Sequence, residues 1–584
     1  MDDFDFSMLV QLTKWELIHV LESIIGSKEL VVEQSLMRPL DKIGNMSLLY
    51  EHNCKKVQQF HFDRVVSWDP TVSNRVFMVR PRLATVRKIC ELIKAEPERI
   101  YCVIFVDRRQ SVCELEFEKQ GVFGLVNFFQ LNLSFIPLES DLLSLELPQD
   151  MSKVDYQALA KGIWQLQSLY GFIPNQFAIG KAASECRSIL KTVFEDQGEP
   201  AATANQPISH MFLFDRKSDL ASVLMTGLTY ESMLNDVFAY SCGKITFGEQ
   251  VNAKLKQKSS GKNVVSLSNS DSIFGTVRNR HITQVFPFLS AKAKSLQNSF
   301  DKASSLNKVE EVRNFVSNEL RELKQNHKLL ELHICACEVL LETNKGAADR
   351  LNMEHLIIRK EADSKDVMKH LELALIRQGN PWQILQLACL WSICEDGLSS
   401  KHFRNFRDRF LHACGYEYLP VLLGLQLNGL LTEKTTPINL NPVRNIIPGT
   451  GKNSFAQVVK NMNLTVDSEA PFDAKTATKP SYVFSDAYLP LIVQILSMNT
   501  VDGWNQSKLQ KALGPDIPIS STPNPAKLDS RIKKAVLVCF IGGVSFAEIA
   551  ALRQFAQNNN FRLIILTSNI LHRDEFLKSF SETI

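Results

Sequence analysis

The sequence lacks the paired cysteines of disulfide-rich and zinc-binding proteins. Its 12 cysteines are scattered between Cys54 and Cys539 without paired spacing, which is typical of reduced thiols in the cytosol. The tightest group is His333, Cys335 and Cys337. Residues two apart on a helix point about 200° apart, so these three are not expected to bind one metal ion. We expect them to pack in a core.

A long hydrophobic run is also missing. The longest apolar stretch near the end, residues 535–547, contains Gly542, Gly543 and Ser545, and it is too short for a helix that must cross a bilayer with about 20 residues. The N-terminal segment is acidic and has no basic region followed by an apolar one, so no signal peptide is expected. We expect a soluble protein whose association with membranes is peripheral.

An excess of charge of one sign is lacking as well. The 66 Lys and Arg residues against 63 Asp and Glu residues give a net charge of +3, which is too small to indicate nucleic-acid binding. A hydrophobic content of 45% with 22% charged residues is ordinary for globular proteins. The length of 584 residues predicts two to four domains, because single hydrophobic cores stop growing near about 250 to 300 residues.

Catalytic motifs are not found in the contexts they require. Residues 448–454 resemble a phosphate-binding loop, but that motif needs glycine in place of Ile446 and Ser or Thr in place of Asn453. A nucleotide hydrolase would need Lys452 to bind phosphate, and we expect a linker there instead. Because serine-hydrolase, zinc-protease and dinucleotide-binding motifs are also lacking, we predict no catalytic residue, cofactor or metal.

Short apolar runs alternate with amphipathic segments at both ends of the chain. Runs rich in β-branched and aromatic residues predict strands at 30–32, 75–80, 101–106, 135–138, 211–214, 535–541 and 561–567. Their continuous hydrophobicity indicates parallel sheets that are covered on both faces. Ser545 and Glu548 have the spacing of a capping box, which predicts a strand, helix and strand unit at the end of the chain.

The middle of the chain is predicted to be mostly helical. A helix over residues 309–341 should bury a seam that alternates steps of three and four and includes Leu330, Ile334, Cys337 and Leu341. An upstream helix over residues 286–300 should form a long antiparallel hairpin with it. Further helices are predicted at 367–378, 381–394, 402–412 and 418–428, and loops at 257–272 and 433–479.

The approach to this hairpin is basic. Between Val251 and Glu310 there are ten Lys or Arg residues and three acidic residues. Two interpretations remain open. The charge belongs to a solvated loop, or it steers an acidic helical partner or an anionic membrane surface toward the hairpin.

Two acidic residues, Asp215 and Asp219, follow the strand predicted at 211–214. This position often carries catalytic acids in α/β proteins. However, enzymes that form an aspartyl phosphate place two acids closer together, and Arg216 and Lys217 offer local charge compensation here. We therefore expect structural roles, such as an Asp cap on the following turn or an ion pair with Arg216.

Several of these segments resemble the Sec1/Munc (SM) family of vesicle-fusion proteins. Residues 211–238 carry its Asp-Arg-x-x-Asp and Leu-Thr-Tyr-Glu signature, and residues 79–82, 141–146, 481–490 and 540–553 are similar too. The likeness covers essentially the whole chain. It implies an α/β plus α fold, in which a three-domain arch combines two parallel-sheet α/β domains with a large, mostly helical insertion domain.

The resemblance also implies domain boundaries. The N-terminal α/β domain is expected over residues 1–134, and a discontinuous central α/β domain over 135–240 and 481–584. The helical domain is expected over 241–480, with its hairpin at about 286–341.

Residues 242–248 and 315–338 are more similar to the B-type than to the A-type vacuolar protein-sorting members of the family. This implies a non-enzymatic regulator of SNARE-mediated fusion that also binds a helical-solenoid vacuolar-sorting subunit. It is expected in the cytoplasm and peripherally on late endosomes, lysosomes or recycling endosomes. The alternative is a trafficking adaptor that works mainly through its solenoid partner and Rab GTPases, with little direct SNARE contact.

Two binding surfaces follow from the same resemblance. The solenoid subunit is expected to bind Asn235, Asp236, Arg407 and Tyr416. SNARE helices are expected on the hairpin, at Lys294, Gln297, Phe300, Val312, Phe315 and Asn318. Asn235 stands where the family usually has an acidic residue, and Asp486 where it commonly has glycine.

Overall fold

The structure is a computed structural model that forms two compact units. It describes residues 5–62, 68–149, 154–201, 207–255, 263–304, 320–344, 346–434, 455–466, 472–475, 477–515, 517–522 and 535–583. The first unit comprises Met1–Pro148, Gln157–Phe172 and Thr192–Ala201, and the second comprises Gln149–Tyr156, Ile173–Lys191 and Ala202–Ile584. The boundaries of the three expected domains stay a prediction.

The first unit contains a five-stranded parallel sheet. Its strands are β1 (Lys28–Val32), β2 (Cys54–Gln59), β3 (Asn74–Val79), β4 (Ile100–Val106) and β5 (Val126–Leu131), in the order β2-β1-β3-β4-β5. Every residue of β1 and β3 is buried, which confirms the parallel sheet that the apolar runs predicted. The edge strand β2 was not predicted, because its sequence is mostly polar and most of its side chains are partly exposed.

Helices and a hairpin complete the first unit. These elements are α1 (Ser7–Ser23), α2 (Gln34–Ile43), α3 (Met46–Glu51), α4 (Leu83–Ala95), α5 (Ser111–Lys119), β6 (Ile136–Glu139), β7 (Leu142–Ser144) and α6 (Tyr156–Tyr170). Two of the segments that resemble the SM family meet at Arg80. Its guanidinium forms an ion pair with Asp107 and donates to the carbonyl of Glu146 at 3.2 Å.

The second unit joins distant parts of the chain in one sheet. The strands of this unit are β8 (Asn175–Ile179), β9 (Ile208–Asp215), β10 (Ala239–Ser241), β11 (Lys244–Phe247), β12 (Asn263–Ser266), β13 (Ile519–Ser521), β14 (Ala535–Ile541) and β15 (Arg562–Thr567). Strands β10, β11 and β12 form a separate antiparallel sheet. The other five have the order β13-β8-β9-β14-β15, which places β14 between β9 and β15, and among these five only β13 is antiparallel to its neighbour. The C-terminal strands therefore complete the sheet, as the sequence predicted.

Most of the second unit is helical. Its helices are α7 (Lys181–Gln197), which extends into the first unit, α8 (Ala221–Leu224), α9 (Tyr230–Val237), α10 (Glu249–Lys254), α11 (Ser272–Val277), α12 (Ile282–Ser304), α13 (Leu320–Thr343), α14 (Ala347–Ile358), α15 (Ser364–Ile376), α16 (Pro381–Cys394), α17 (Ser400–Cys414), α18 (Leu419–Leu427), α19 (Phe455–Asn461), α20 (Leu491–Asp502), α21 (Gln506–Leu513), α22 (Phe546–Asn558) and α23 (Arg573–Ser579). The four helices predicted between residues 367 and 428 correspond to α15, α16, α17 and α18 and are confirmed.

The predicted seam of α13 is wrong toward the end of the helix. Leu341 is 45% exposed, whereas His333 is fully buried. His333 can be buried because its ring belongs to a polar network. The hydroxyl of Tyr230 lies 3.0 Å from Nδ1 of His333, and the carboxylate of Asp271 lies 3.1 Å from Nε2. Cys335 and Cys337 pack in the core that α12 and α13 share, as expected.

The two predicted loops contain regular elements. Strand β12 lies within residues 257–272, and α19 lies within residues 433–479. Both elements are short, which explains why periodicity did not reveal them. The phosphate-loop-like residues 448–454, including Lys452, lie outside the described residues.

Candidate functional site

Asp215 and Asp219 have structural roles, as predicted. The Asp215 carboxylate accepts hydrogen bonds from the backbone N–H groups of Lys217 and Ala182, both at 3.0 Å. Asp219 accepts from the hydroxyl of Tyr488 at 3.1 Å and from the backbone N–H of Leu491 at 3.0 Å. Burial raises the pKa of Asp215, and the two backbone donors oppose that shift. The turn therefore fixes the 481–491 segment to β9.

Arg216 connects this turn to helix α22. Its Nη1 donates to both carboxylate oxygens of Glu548 at 2.7 Å, and both side chains are completely buried. The expected capping box is present, because Ser545 accepts from the Glu548 N–H while the Glu548 carboxylate accepts from the Ser545 N–H. Three of the segments that resemble the SM family are thus held together by two side chains of one turn.

Asn235 and Asp236 lie at the end of α9 and contact the segment that begins α23. The buried Asn235 donates its side-chain N–H to the carbonyl of Leu571 at 2.9 Å. A carboxylate at this position could not donate, so asparagine suits the observed contact. Asp236 forms an ion pair with Arg573, which also donates to the hydroxyl of Thr226 at 2.7 Å. In this structure both residues therefore make intramolecular contacts, with Leu571 and Arg573.

Arg407 and Tyr416 line one cavity, which we call the α17–α18 cavity. It has a volume of about 270 Å³. Its lining residues are Phe403, Arg407, Asp408, Leu411, His412, Tyr416, Leu419, Leu422, Leu423, Gln426 and Leu431. Gly415, with a φ of +110°, ends α17 and turns the chain so that Tyr416 returns toward it. Arg407 pairs with its neighbour Asp408 at 2.9 Å, with both side chains about half exposed.

A row of apolar side chains continues this surface along α18. Tyr416 is 65% exposed, and Leu419, Leu423 and Leu427 are 39%, 43% and 50% exposed. Steps of three and four place these residues on one face of the helix. The sequence does not reveal which face of α18 is exposed, because Gln426 is the one strongly polar residue between positions 419 and 427.

The two groups of predicted partner-binding residues are connected through the C-terminal helix. Arg573, the partner of Asp236, is the first residue of α23. The turn that follows, Phe580–Thr583, packs so closely on α18 that a Cβ atom at Gly424 would lie 1.9 Å from the carbonyl oxygen of Phe580. The Asp236 ion pair therefore supports the helix that carries the apolar row.

Only part of the predicted SNARE-binding surface is described. Lys294 and Gln297 are exposed on α12. The side chain of Phe300 and the residues Val312, Phe315 and Asn318 lie outside the described part of the chain.

Neither a metal-binding cluster nor a membrane-spanning helix is found among the described residues. They contain no cluster of three or more His, Cys, Asp or Glu side chains arranged to hold a metal ion. None of their helices combines the length and hydrophobicity that a membrane crossing requires.

Comparison with known proteins places this fold in a family. The model of the Sec1 family matches residues 28–579. The chain belongs to the Sec1 family. It is 32% identical to the vacuolar protein sorting-associated protein 33B of Rattus norvegicus over 615 residues, covering 99% of this chain and 97% of that protein, and the identity and coverage are the same for the Homo sapiens protein. Identity to the 33A protein of Rattus norvegicus is 27%, with 99% and 98% covered.

Solved structures of Sec1-family proteins share the fold along the whole chain. The Unc18–syntaxin 1 complex from Monosiga brevicollis aligns with a TM-score of 0.58 at 14% identity and covers 98% of this chain and 99% of that one. The SM protein Vps45 in complex with the Qa SNARE Tlg2 aligns with a TM-score of 0.56 at 14% identity and covers 98% of both chains. The predicted fold class and the resemblance to the SM family are confirmed.

Proposed function

We propose that this protein regulates SNARE-mediated membrane fusion and vesicle trafficking in the endosomal and lysosomal system. It acts without catalysis, by binding SNARE helices and a helical-solenoid vacuolar-sorting subunit. Membership of the Sec1 family and 32% identity to vacuolar protein sorting-associated protein 33B along nearly the whole chain support this proposal. Two structural relatives were solved with a SNARE bound, syntaxin 1 in one and Tlg2 in the other.

The observation that carries the solenoid-binding role is the surface that combines Arg407 with an exposed aromatic and aliphatic row. Tyr416 has the largest exposed fraction in that row, and aromatic and arginine side chains are the usual anchors of protein interfaces. An apolar row on one helix face is also the geometry by which helices recognise helices. The exposed Arg407–Asp408 pair contributes little to stability, so a partner carboxylate can replace Asp408.

We propose that Asn235 and Asp236 stabilise this surface indirectly, without contacting the partner. Their side chains hold the carbonyl of Leu571 and the guanidinium of Arg573. Because α23 and the turn after it pack on α18, a change at Asp236 should reach the partner through the position of α18. A direct contact of Asp236 with the partner would first require it to release Arg573.

The proposed SNARE surface is the face of α12 that carries Lys294 and Gln297, continued by Phe300, Val312, Phe315 and Asn318. The exposed cation and amide suit the polar outer face of a SNARE helix. Membrane recruitment to late endosomes, lysosomes or recycling endosomes then occurs through partners.

The proposal is tested by calorimetry with the purified full chain and SNARE cytosolic regions, each alone and as an assembled bundle. We expect binding to at least one form, with no nucleotide required and none hydrolysed. Absence of binding to every form, also with the solenoid subunit present, would contradict the SNARE role. If the solenoid subunit and a Rab GTPase bind while SNAREs do not, the protein is a trafficking adaptor and not a SNARE regulator.

A further inference from the structure

A second cavity lies among four helices of the second unit. It is formed by the end of α13, the start of α14, one face of α15 and the start of α16, and its volume is about 310 Å³. That size is at the lower end of small-molecule sites. Its floor includes Leu371, Ile384 and Leu387, and Asn344, Asn380 and Gln383 contribute amide groups at its walls. No function described above uses this cavity.

Two cations dominate the charge of this cavity. Arg350 of α14 and Arg377, the residue directly after α15, line it, and Asp349 is the one acidic residue among the described residues of the lining. His370 also lines the cavity. Its pKa is lowered, first by burial and further by the two guanidinium groups, while Asp349 acts in the opposite direction. The cavity therefore has a net positive charge while His370 is neutral.

Arg350 retains unused hydrogen-bonding capacity. Its side chain is 13% exposed, and its Nε has no hydrogen-bond partner among the described residues. The nearest carboxylate is Glu354, 3.5 Å from that Nε. Both oxygens of Glu354 already accept from Thr226 at 2.9 Å. This Nε has almost no accessible surface, so the terminal amino groups of Arg350 are the donors that would bind a ligand in the cavity.

The backbone adds to this potential. Helix α14 has 12 residues and begins after Gly346, which has a φ of +88° and provides no capping side chain. Gly346 and Ala347 both line the cavity. The N-terminal end of a helix carries a partial positive charge and N–H groups that bind anions. Asp349 offsets part of this charge from the first turn of the same helix.

We propose that this cavity binds a phosphate group of a small ligand. Arg350 from α14 and Arg377 from the position directly after α15 would donate hydrogen bonds to the phosphate oxygens, and the start of α14 would face the same group. A phosphate monoester suits the site because it offers three acceptor oxygens and up to two negative charges to donors on several sides. The source is a soluble phosphorylated compound or the headgroup of a membrane lipid, which share this chemistry.

The test uses the full chain with two probes. Inositol hexakisphosphate is titrated in a calorimeter, and vesicles of phosphatidylcholine are sedimented with and without a phosphatidylinositol monophosphate. We expect saturable binding in at least one arm, weakened about tenfold or more by Arg377→Gln, because a charge-assisted hydrogen bond is lost. Arg377 is exposed, so this variant should fold normally, which thermal unfolding will verify.

Two further variants make the test specific. Lys369→Gln removes a charge from an exposed position of α15, outside the cavity, and should leave binding unchanged. Asp349→Asn removes the opposing carboxylate and should tighten binding about two- to fivefold. Binding to the soluble probe identifies a soluble ligand, and Arg377-dependent binding to vesicles alone identifies a lipid headgroup. No binding in either arm, or equal losses for Lys369→Gln and Arg377→Gln, would overturn the proposal.

Discussion

Arg216 and Glu548, which are 332 positions apart in the chain, form a completely buried ion pair with both carboxylate oxygens 2.7 Å from one guanidinium nitrogen. Arg216 belongs to the turn after β9, and Glu548 belongs to the first turn of α22. The pair therefore connects the sheet to the helix between its two C-terminal strands. A buried charge without its partner is costly, so this contact is a sensitive point for the fold.

The first prediction concerns that pair. Glu548→Gln should lower the free energy of unfolding by about 3 kcal/mol, because it leaves the buried, charged Arg216 with only Asp219, 4.0 Å away, as a counterion. Chemical denaturation followed by tryptophan fluorescence measures the change. The matched control is Glu575→Gln in the exposed Glu575–Lys578 pair, with side chains 57% and 43% exposed. It should cost less than about 1 kcal/mol. Equal effects of the two substitutions would show that the buried pair is not important for stability.

The second prediction concerns pH. Burial lowers the pKa of His281 from 6.5 to about 4. The unfolded chain therefore takes up a proton on this residue as the pH falls below 6.5, while the folded chain stays neutral until about pH 4. The contribution of His281 to the free energy of unfolding is complete above pH 6.5. It decreases as the pH falls, by about 2 kcal/mol between about pH 7 and about pH 5.

Denaturation curves at the two pH values measure this effect. His281→Gln should remove that part of the difference, whereas His19→Gln, at an exposed position on α1, should leave the difference unchanged. His355, whose pKa burial also lowers to about 4, acts in the same direction and will keep part of the pH dependence. A pH dependence that is the same with and without His281 would contradict the prediction.

The third prediction concerns the contact between α18 and the end of the chain. Gly424→Ala places a methyl group 1.9 Å from the carbonyl oxygen of Phe580, which is backbone and cannot rotate away. We expect a loss of about 2 kcal/mol or more in the free energy of unfolding. Gly124→Ala is the control, because a Cβ atom there meets nothing within 4 Å, and its effect should stay within about 1 kcal/mol. An unchanged free energy of unfolding in Gly424→Ala would contradict the prediction, because it would mean that the contact between α18 and Phe580 can widen at little cost.

The fourth prediction concerns the α17–α18 cavity. The double variant Arg407→Glu and Tyr416→Asp should abolish co-purification of the solenoid subunit from cells, because it removes a cation and an aromatic anchor together. Thermal stability should change little, since both side chains are largely exposed. Lys401→Glu, on the same helix but outside the cavity, should co-purify as the wild type does. If the double variant still co-purifies with the solenoid subunit, the subunit does not bind at the α17–α18 cavity.

The sheets were predictable because their central strands are continuous apolar runs. Strands β3, β4 and β14 have nearly every residue buried, so their composition alone distinguishes them. The edge strand β2 and the three-residue strand β13 have partly exposed and polar residues. Such strands are defined by pairing with a neighbour, which a single sequence does not reveal.

The contacts of the site were less predictable. The spacing of Ser545 and Glu548 predicted a capping box, but the ion pair of Glu548 with Arg216 depends on the placement of β14 beside β9. In the same way, the resemblance to the SM family indicated Asp236 as a candidate contact, while its pairing with Arg573 depends on how the chain returns at its end. Local patterns predict local contacts, and pairs this far apart follow only from the assembled fold.

The function we propose for this protein is regulation of SNARE-mediated membrane fusion. It can be measured as lipid mixing between vesicles that carry endosomal SNAREs, with and without the purified chain and its solenoid subunit. We expect faster lipid mixing that needs SNAREs on both vesicle populations and no added nucleotide. An unchanged rate across a range of protein concentrations, with SNAREs that fuse vesicles on their own, would contradict it.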